Sequence, residues 1–134
     1  KVQLMLDERM IKGTFTNGTE YTVLATVLNM NRDIVRRLQS FDFTKKNPKM
    51  VVLCTGEQPC SLEDAILMTF LNLVGFDIAL FVPTGYQTIE RYLNGNYPVE
   101  HQIGEYVYDL QVPDFSALTP VKRSWLENIL KRGN

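Results

Sequence analysis

The chain has 134 residues, of which 45% are apolar and 22% charged, a composition that excludes a disordered chain and suits one folded domain. Its formal net charge of −1 offers no basic surface to gather nucleic acid, so we expect no nucleic-acid partner. No apolar run approaches the ~20 residues of a membrane-spanning helix, so we expect no membrane span. The chain starts without methionine and ends in a polar "KRGN" (131–134), and we therefore expect the C-terminal fragment of a longer protein.

The first 48 residues have the least regular pattern. The stretch "VQLML" (2–6) is apolar and strand-like. "EYTVLATVLNMNRDIVRRLQSF" (20–41) is helical in composition, with a predicted break at "NMNR" (29–32). It forms either one bent helix or two short helices.

Residues 49–82 contain two predicted strands joined by a helix. "KMVVLC" (49–54) and "DIALFV" (77–82) are short apolar runs, and the first predicts a buried strand. Ser61 is a favoured N-cap residue with Asp64 three positions later, so a helix should begin there. Gly75 should end this helix in the left-handed conformation. Its largely apolar composition predicts the most buried helix of the protein.

The chain after residue 82 continues the succession of predicted strands and helices. Apolar residues recur at three- and four-residue spacing in "YQTIERYL" (86–93), which predicts a short helix starting directly after "PTG" (83–85). "EYVYDLQV" (105–112) alternates with period two, which predicts a half-exposed edge strand that ends at Pro113. Thr119-Pro120 predicts the start of an amphipathic terminal helix over 119–132.

Strand, helix, strand, helix and strand in succession are typical of a parallel, doubly wound sheet. We therefore predict a single α/β domain over residues 1–134, a three-layer Rossmann-like fold with a mostly parallel sheet. Its βαβαβ core spans 49–115.

Cys54 and Cys60 lie close together in the sequence "CTGEQPC". Zinc sites normally combine C-x-x-C pairs with further ligands, and His101 is the single histidine, so we expect no metal site. A disulfide can span such a loop. Residues 1–10 lack the apolar core of a signal peptide, so two reduced thiols are the favoured interpretation.

The candidate binding residues follow the two predicted strands. Ligands of parallel sheets bind beyond the carboxyl ends of the strands. Threonine hydroxyls and glycine amides beside a helix start can hold a phosphate. At the helix predicted after "PTG", the unpaired amides of Gln87 and Thr88 would bind the anionic group. No nucleotide-binding glycine motif is present, and both Thr-Gly pairs equally suit plain turns. The candidate ligand-binding residues are Thr55, Gly56, Glu57, Ser61, Thr84, Gly85 and Tyr86.

Other polar and aromatic residues carry weaker hypotheses. His101 and Glu105 are four positions apart, a spacing that suits a general base and its partner or, more simply, a surface pair. The tyrosines 86, 92, 97, 106 and 108 can stack on a sugar or a base, but their spacing favours packing roles. No catalytic residue and no cofactor follow from these patterns.

The stretch from about 49 to 115 resembles a known family. Its most specific pieces are "LVGFD" (73–77), "PTGYQ-IE" (83–90) and "IGEY-YDLQVP" (103–113). These are similar to the C-terminal part of the YceG-like proteins of bacterial tellurium- and stress-resistance gene clusters, which are described as belonging to a "biosynthetic module". The resemblance covers about half of the chain. It implies a cytoplasmic bacterial protein that works beside other proteins of the resistance cluster, and it brings no catalytic residues.

Two functional hypotheses follow. The first is a Rossmann-like part of a biosynthetic enzyme that binds a phosphorylated or nucleotide-linked metabolite across Thr55-Gly56 and Thr84-Gly85. The second is a non-catalytic protein-interaction module of a resistance complex. A concave pocket at the strand ends favours the enzyme, whereas a flat surface there with an apolar patch elsewhere favours the module.

Overall fold

The computed structural model describes residues 1–55, 60–86, 88–95 and 97–111, and they form a mixed α/β arrangement with a small parallel sheet. The elements in chain order are α1 (Val2–Asp7), α2 (Thr19–Leu28), α3 (Arg32–Ser40), β1 (Lys49–Leu53), α4 (Leu62–Val74), β2 (Asp77–Phe81) and a 3-10 helix (Ile89–Tyr92). The predicted terminal helix over 119–132 lies outside the described residues. Within the described ranges, no helix has both the length and the apolar character needed to cross a membrane.

The helix α4 forms where the sequence predicts it. The Ser61 hydroxyl accepts the Asp64 amide at 3.1 Å, and the Asp64 carboxylate accepts the Ser61 amide at 2.9 Å, which completes a capping box. Gly75 ends the helix with φ +124°, a positive value but not the expected left-handed conformation. Four apolar residues make α4 the most buried of the described helices: Ala65, Ile66, Met68 and Leu71.

The strands β1 and β2 pair in parallel, in register from Lys49 opposite Asp77 to Leu53 opposite Phe81. The helix α4 connects them and packs on one side of the sheet. Side chains alternate between exposed and half-buried along both strands. The predicted burial of β1 is therefore wrong for one of its faces, which nothing within the described residues covers.

The predicted strand over 105–112 is wrong for residues 105–111, which are irregular and exposed. The segment is hydrogen-bonded to the turn after β2, where the Val107 amide donates to the Pro83 carbonyl at 2.9 Å. Pro83 lies beyond the end of β2, so the backbone of this segment does not run along that strand and no ladder of hydrogen bonds forms between them. A parallel α/β arrangement is confirmed in its coarse form, as a two-stranded sheet with helices.

Three helices, α1 to α3, form the regular secondary structure of the N-terminal region, and turns and irregular segments join them. The prediction of a strand at "VQLML" is wrong, because Met5 and Leu6 face the interior from α1 while Gln3 and Leu4 remain exposed. The predicted break near residue 30 is confirmed. There, Asn31 caps α3 by accepting the Asp33 amide at 2.7 Å, so α2 and α3 are two separate helices.

The interior draws on distant parts of the chain. Met5, Val23 and Ile66 from three helices pack together with Ile11, and Ile11 forms an antiparallel bridge to Leu93. Around this bridge, the Lys12 amide donates to Tyr92 at 2.8 Å and the Asn94 amide to Met10 at 2.9 Å. The Asn94 side chain also donates to the Arg9 carbonyl at 2.7 Å. We refer to residues 9–12 and 92–94 as the clasp.

Candidate functional site

The carboxyl ends of β1 and β2 lie side by side. Leu53 pairs with Phe81, and the Cys54 amide donates to the Phe81 carbonyl at 2.9 Å, which extends the pairing by one step. The exposed Thr55 and the turn 84–86 therefore leave the sheet at the same edge, as the sequence predicts. Gly56 and Glu57, which complete the first candidate loop, lie outside the described residues.

The turn after β2 is closed by the chain itself. The Gly85 amide donates to the Val82 carbonyl at 3.1 Å, and the buried Thr84 hydroxyl accepts the Tyr86 amide at 3.4 Å. Gly85 has φ +69°, and the ring of Tyr106 lies against the position where its Cβ would stand. A ligand that approaches Gly85 from the side of this Cβ position must displace the ring.

The predicted helix directly after this turn is wrong. A single 3-10 turn begins only at Ile89, and the Thr88 amide is bonded rather than free. The Glu90 carboxylate accepts both the Thr88 amide at 2.7 Å and the Thr88 hydroxyl at 3.0 Å. A carboxylate of the same chain thus occupies the position that the sequence assigns to a bound anion. Gln87 lies outside the described residues.

The third candidate hydroxyl, that of Ser61, belongs to the capping box. It accepts the Asp64 amide at 3.1 Å and donates to the Asp64 carboxylate at 3.0 Å. Both of its principal hydrogen bonds are therefore made within the chain. Release of this hydroxyl for a ligand would uncap α4.

The electrostatic environment at the end of β1 is unfavourable to an anion. Burial first, then the hydrogen bond and charge of Cys60 and the charges of Asp64 and Glu90, raise the pKa of the Cys54 thiol to about 12. Two carboxylates therefore lie close enough to oppose a new negative charge at this strand end. The two thiols themselves are in contact, with Sγ atoms 3.2 Å apart.

A cleft of about 510 Å³ lies beside the clasp. Lys12 borders it and donates from Nζ to the Glu90 carbonyl at 3.4 Å. The cleft is lined by Lys12, Glu90, Leu93, Asn94, Gly95, Tyr97, Pro98, Val99 and Glu100. Sequence reasoning missed it, since no local pattern reveals that Lys12 will meet residues 90–100.

The largest unexpected feature is the uncovered side of the sheet, which we call the outer face. Val51 is 70% exposed, Phe81 43% and Leu53 41%. The outer face consists of Lys49, Val51 and Leu53 of β1 and Asp77, Ala79 and Phe81 of β2. At its amino end, Lys49 Nζ lies 2.8 Å from the Asp77 carboxylate and holds the pKa of that carboxyl below its usual value. The alternation of exposed and half-buried positions was hidden in the sequence because both sides of each strand are mainly apolar.

The remaining candidates lie on the surface. His101 and Glu105 are exposed in the irregular segment. The packing roles predicted for the tyrosines hold only in part, since Tyr86, Tyr97 and Tyr108 are 58%, 63% and 65% exposed. Tyr86 and Tyr108 form an edge-to-face pair with ring centroids 6.3 Å apart. Across the part of the chain that the structure describes, no group of three or more potential ligand residues is arranged to hold a metal ion.

Comparison with known proteins identifies the family. Residues 1–126 match the family described as the YceG domain. The chain belongs to the YceG domain family. It is also similar to "Uncharacterized protein YceG" of Bacillus subtilis (strain 168), with 30% identity over 96 residues. The match covers 71% of this chain but 17% of the relative, so the chain spans a small part of that protein's length. No solved structure matches the chain significantly.

Proposed function

We propose that this chain is a non-catalytic interaction module of a YceG-family protein, and that the outer face is the surface by which it packs against another part of such a protein. From the resemblance to the YceG-like proteins, we assign the whole protein to a bacterial tellurium- and stress-resistance complex in the cytoplasm. The apolar outer face carries the proposal. Parallel strands normally have both faces covered, and an exposed contiguous apolar patch is typical of a contact surface.

The occupant that we propose is another segment of a YceG-family polypeptide. The relative from Bacillus subtilis is far longer than the match, so most of such a polypeptide lies beyond the part that corresponds to this chain. An apolar helix on Val51, Leu53 and Phe81 would add the third layer of a Rossmann-like arrangement. The Lys49–Asp77 pair at one end of the face would then form part of a polar rim.

Side-chain footprinting with a photoreactive diazirine tests this proposal. The chain is labelled alone and after it replaces the matching region of full-length Bacillus subtilis YceG. We expect labelling of Val51 and Phe81 to fall several-fold in the chimera, whereas Val99, 78% exposed and distant from the sheet in sequence, keeps its labelling.

A matched pair of variants extends the test. Val51→Glu should restore labelling at Phe81 in the chimera, because a carboxylate cannot be buried under the proposed segment. Val99→Glu should not. Equal labelling of Phe81 in the isolated chain and the chimera would contradict the proposal, and so would a Phe81 already protected in the isolated chain.

A second candidate function is supported by one observation, the common edge at which Thr55 and the turn 84–86 leave the sheet. In this alternative, the chain is part of a biosynthetic enzyme that binds a phosphorylated or nucleotide-linked metabolite. The site would comprise Thr55, Gly56, Glu57, Ser61, Thr84, Gly85 and Tyr86. Rotation of the Tyr106 ring away from Gly85 would have to accompany binding.

Thermal unfolding in the presence of phosphate, nucleotides and sugar nucleotides tests this alternative. A ligand that binds the folded chain raises Tm by mass action. We expect Thr55→Val to remove the shift and Thr16→Val, an exposed threonine of the N-terminal region, to keep it. If none of these compounds changes Tm, or if both variants retain the shift, the ligand site is not at the strand ends.

A further inference from the structure

Two cysteines face each other at the junction between β1 and α4. The Sγ atoms of Cys54 and Cys60 are 3.2 Å apart, and both residues are half-buried free thiols. The Cys54 backbone is held by its hydrogen bond to Phe81 at the end of the sheet. Cys60 directly precedes Ser61, whose capping box fixes the start of α4. Both backbones are thus anchored by regular structure outside the loop that separates them.

We propose that Cys54 and Cys60 form a redox-modification site, in which a small-molecule disulfide such as oxidised glutathione converts the two thiols into an intramolecular disulfide. A disulfide has an S–S distance of about 2.05 Å, so the sulfur atoms need to approach each other by about 1 Å. Rotation of the two side chains can supply most of this movement. The backbone anchors can therefore stay in place in both redox states.

The reaction is thiol–disulfide exchange in two steps. The Cys60 thiolate attacks one sulfur of the disulfide RSSR, which breaks the S–S bond, expels RS⁻ and leaves a mixed disulfide on Cys60. The Cys54 sulfur then attacks the Cys60 sulfur, and the second RS⁻ departs. The two thiol protons pass through water to the two leaving thiolates. The protein loses two electrons, and RSSR is reduced to two molecules of RSH.

The surroundings of Cys54 assign the order of these steps. Burial, the neighbouring thiol and the carboxylates of Asp64 and Glu90 all disfavour its thiolate, and they raise its pKa to about 12. Since the thiolate is the attacking species, Cys54 is a poor first nucleophile. It acts instead as the resolving thiol, for which its position beside Cys60 supplies a high effective concentration.

Intact-mass analysis after treatment with oxidised glutathione tests the proposal. We expect the wild-type chain to form one internal disulfide with no glutathione attached. We expect Cys54→Ser to retain one glutathione on Cys60, and Cys60→Ser to leave Cys54 unmodified at about neutral pH. Stable glutathione adducts on the wild-type chain, disulfide-linked dimers or unreacted thiols would each overturn it.

A second measurement uses the wild-type chain alone and does not depend on the folding of variants. The fraction oxidised is measured across a series of glutathione redox buffers, once in the native state and once in concentrated urea. If the fold brings the thiols together, the native effective concentration exceeds that of the unfolded chain by about tenfold or more. Equal values would mean that sequence proximity alone explains the reaction, and the proposed site would be rejected.

Discussion

Gly85, one of the predicted ligand contacts, makes room in the structure for a side chain of the same protein. It adopts φ +69°, a conformation that side chains disfavour, and a Cβ built there would overlap the Tyr106 ring. Tyr106 is held in this position by the hydrogen bond of its neighbour Val107 to Pro83. The glycine therefore allows the segment around residue 106 to close over the end of the sheet.

Gly85→Ala should lower the free energy of unfolding by more than the ~1–2 kcal/mol of a left-handed alanine. Gly95→Ala is the matched control, since Gly95 has φ +77° and its Cβ would meet Tyr97 at an ordinary 3.7 Å. The free energy of unfolding of both variants is measured in urea. The difference between their two losses is the cost of the overlap with the Tyr106 ring.

The excess cost of Gly85→Ala should disappear in a background of Tyr106→Ala, as a double-mutant cycle would measure. Tyr106 is 55% exposed, so its own truncation should cost little. If the two substitutions are additive, the ring does not constrain Gly85.

Among the elements, α4 depends most clearly on a local signal. Ser61→Ala removes the hydroxyl that accepts the Asp64 amide and should cost about 1 kcal/mol of stability. Ser40→Ala is a suitable control, because Ser40 lies at the exposed end of α3 and bonds only the Arg37 carbonyl in the described residues. Chemical denaturation of the two variants should show a clear loss for the first and a change within about 0.5 kcal/mol for the second.

The sheet contains a pH-sensitive pair. Lys49 lowers the folded-state pKa of Asp77 below its usual 3.8, so the pair stabilises the fold above that value. This contribution is lost as the pH falls through the lowered folded pKa. Lys49→Met should therefore reduce the drop in urea midpoint between about pH 6 and about pH 2.5, whereas Lys46→Met, at another exposed lysine, should not. An identical drop in both variants would show that solvent screens the pair completely.

The elements that sequence reasoning predicted are those with local start and stop signals. Ser61, Asp64 and Gly75 define α4, and the short β-branched run defines β1. The first helix has no comparable signal, because the five-residue stretch "VQLML" fits either periodicity until Met5 and Leu6 have a partner to pack against. The alternation at 105–111 was genuine, but an alternating segment becomes a strand only when its backbone is paired, and this one makes no ladder with β1 or β2.

The placement of Thr55 and Thr84 at the same end of the sheet was predictable, but the contacts around them were not. Parallel pairing brings Thr55 and Thr84 to one edge, as the strand order implies. That Tyr106 covers Gly85, and that Glu90 bonds Thr88, depends on tertiary contacts that no spacing encodes. The thiol contact is similar, since a Cys-x5-Cys segment becomes a close pair only after β1 and α4 fix its two ends.

At the scale of the whole molecule, one interior is shared by α1, α2, α4, both strands, the 3-10 helix and the clasp. Ile66 is fully buried at its centre, among Met5, Val23 and Leu93. Ile66→Ala should lower the free energy of unfolding by about 2–5 kcal/mol with an unchanged denaturant slope. Val51→Ala, on the outer face, should stay within about 0.5 kcal/mol in the same isolated chain. A small effect at Ile66 would show that the interior is less cooperative than its packing implies.

The clasp also constrains when the chain can finish folding during its synthesis. Asn94 bonds Arg9, 85 positions earlier, and Leu93 covers Ile11. A ribosome adds about 5–20 residues per second, so α1 and α2 wait on the order of several seconds for these partners. Throughout that interval Met5 and Val23 have no complete interior, and the nascent chain presents them to any chaperone at the tunnel exit. Translation arrested just before residue 93 should therefore leave the N-terminal helices open to protease, and arrest well after residue 94 should protect them.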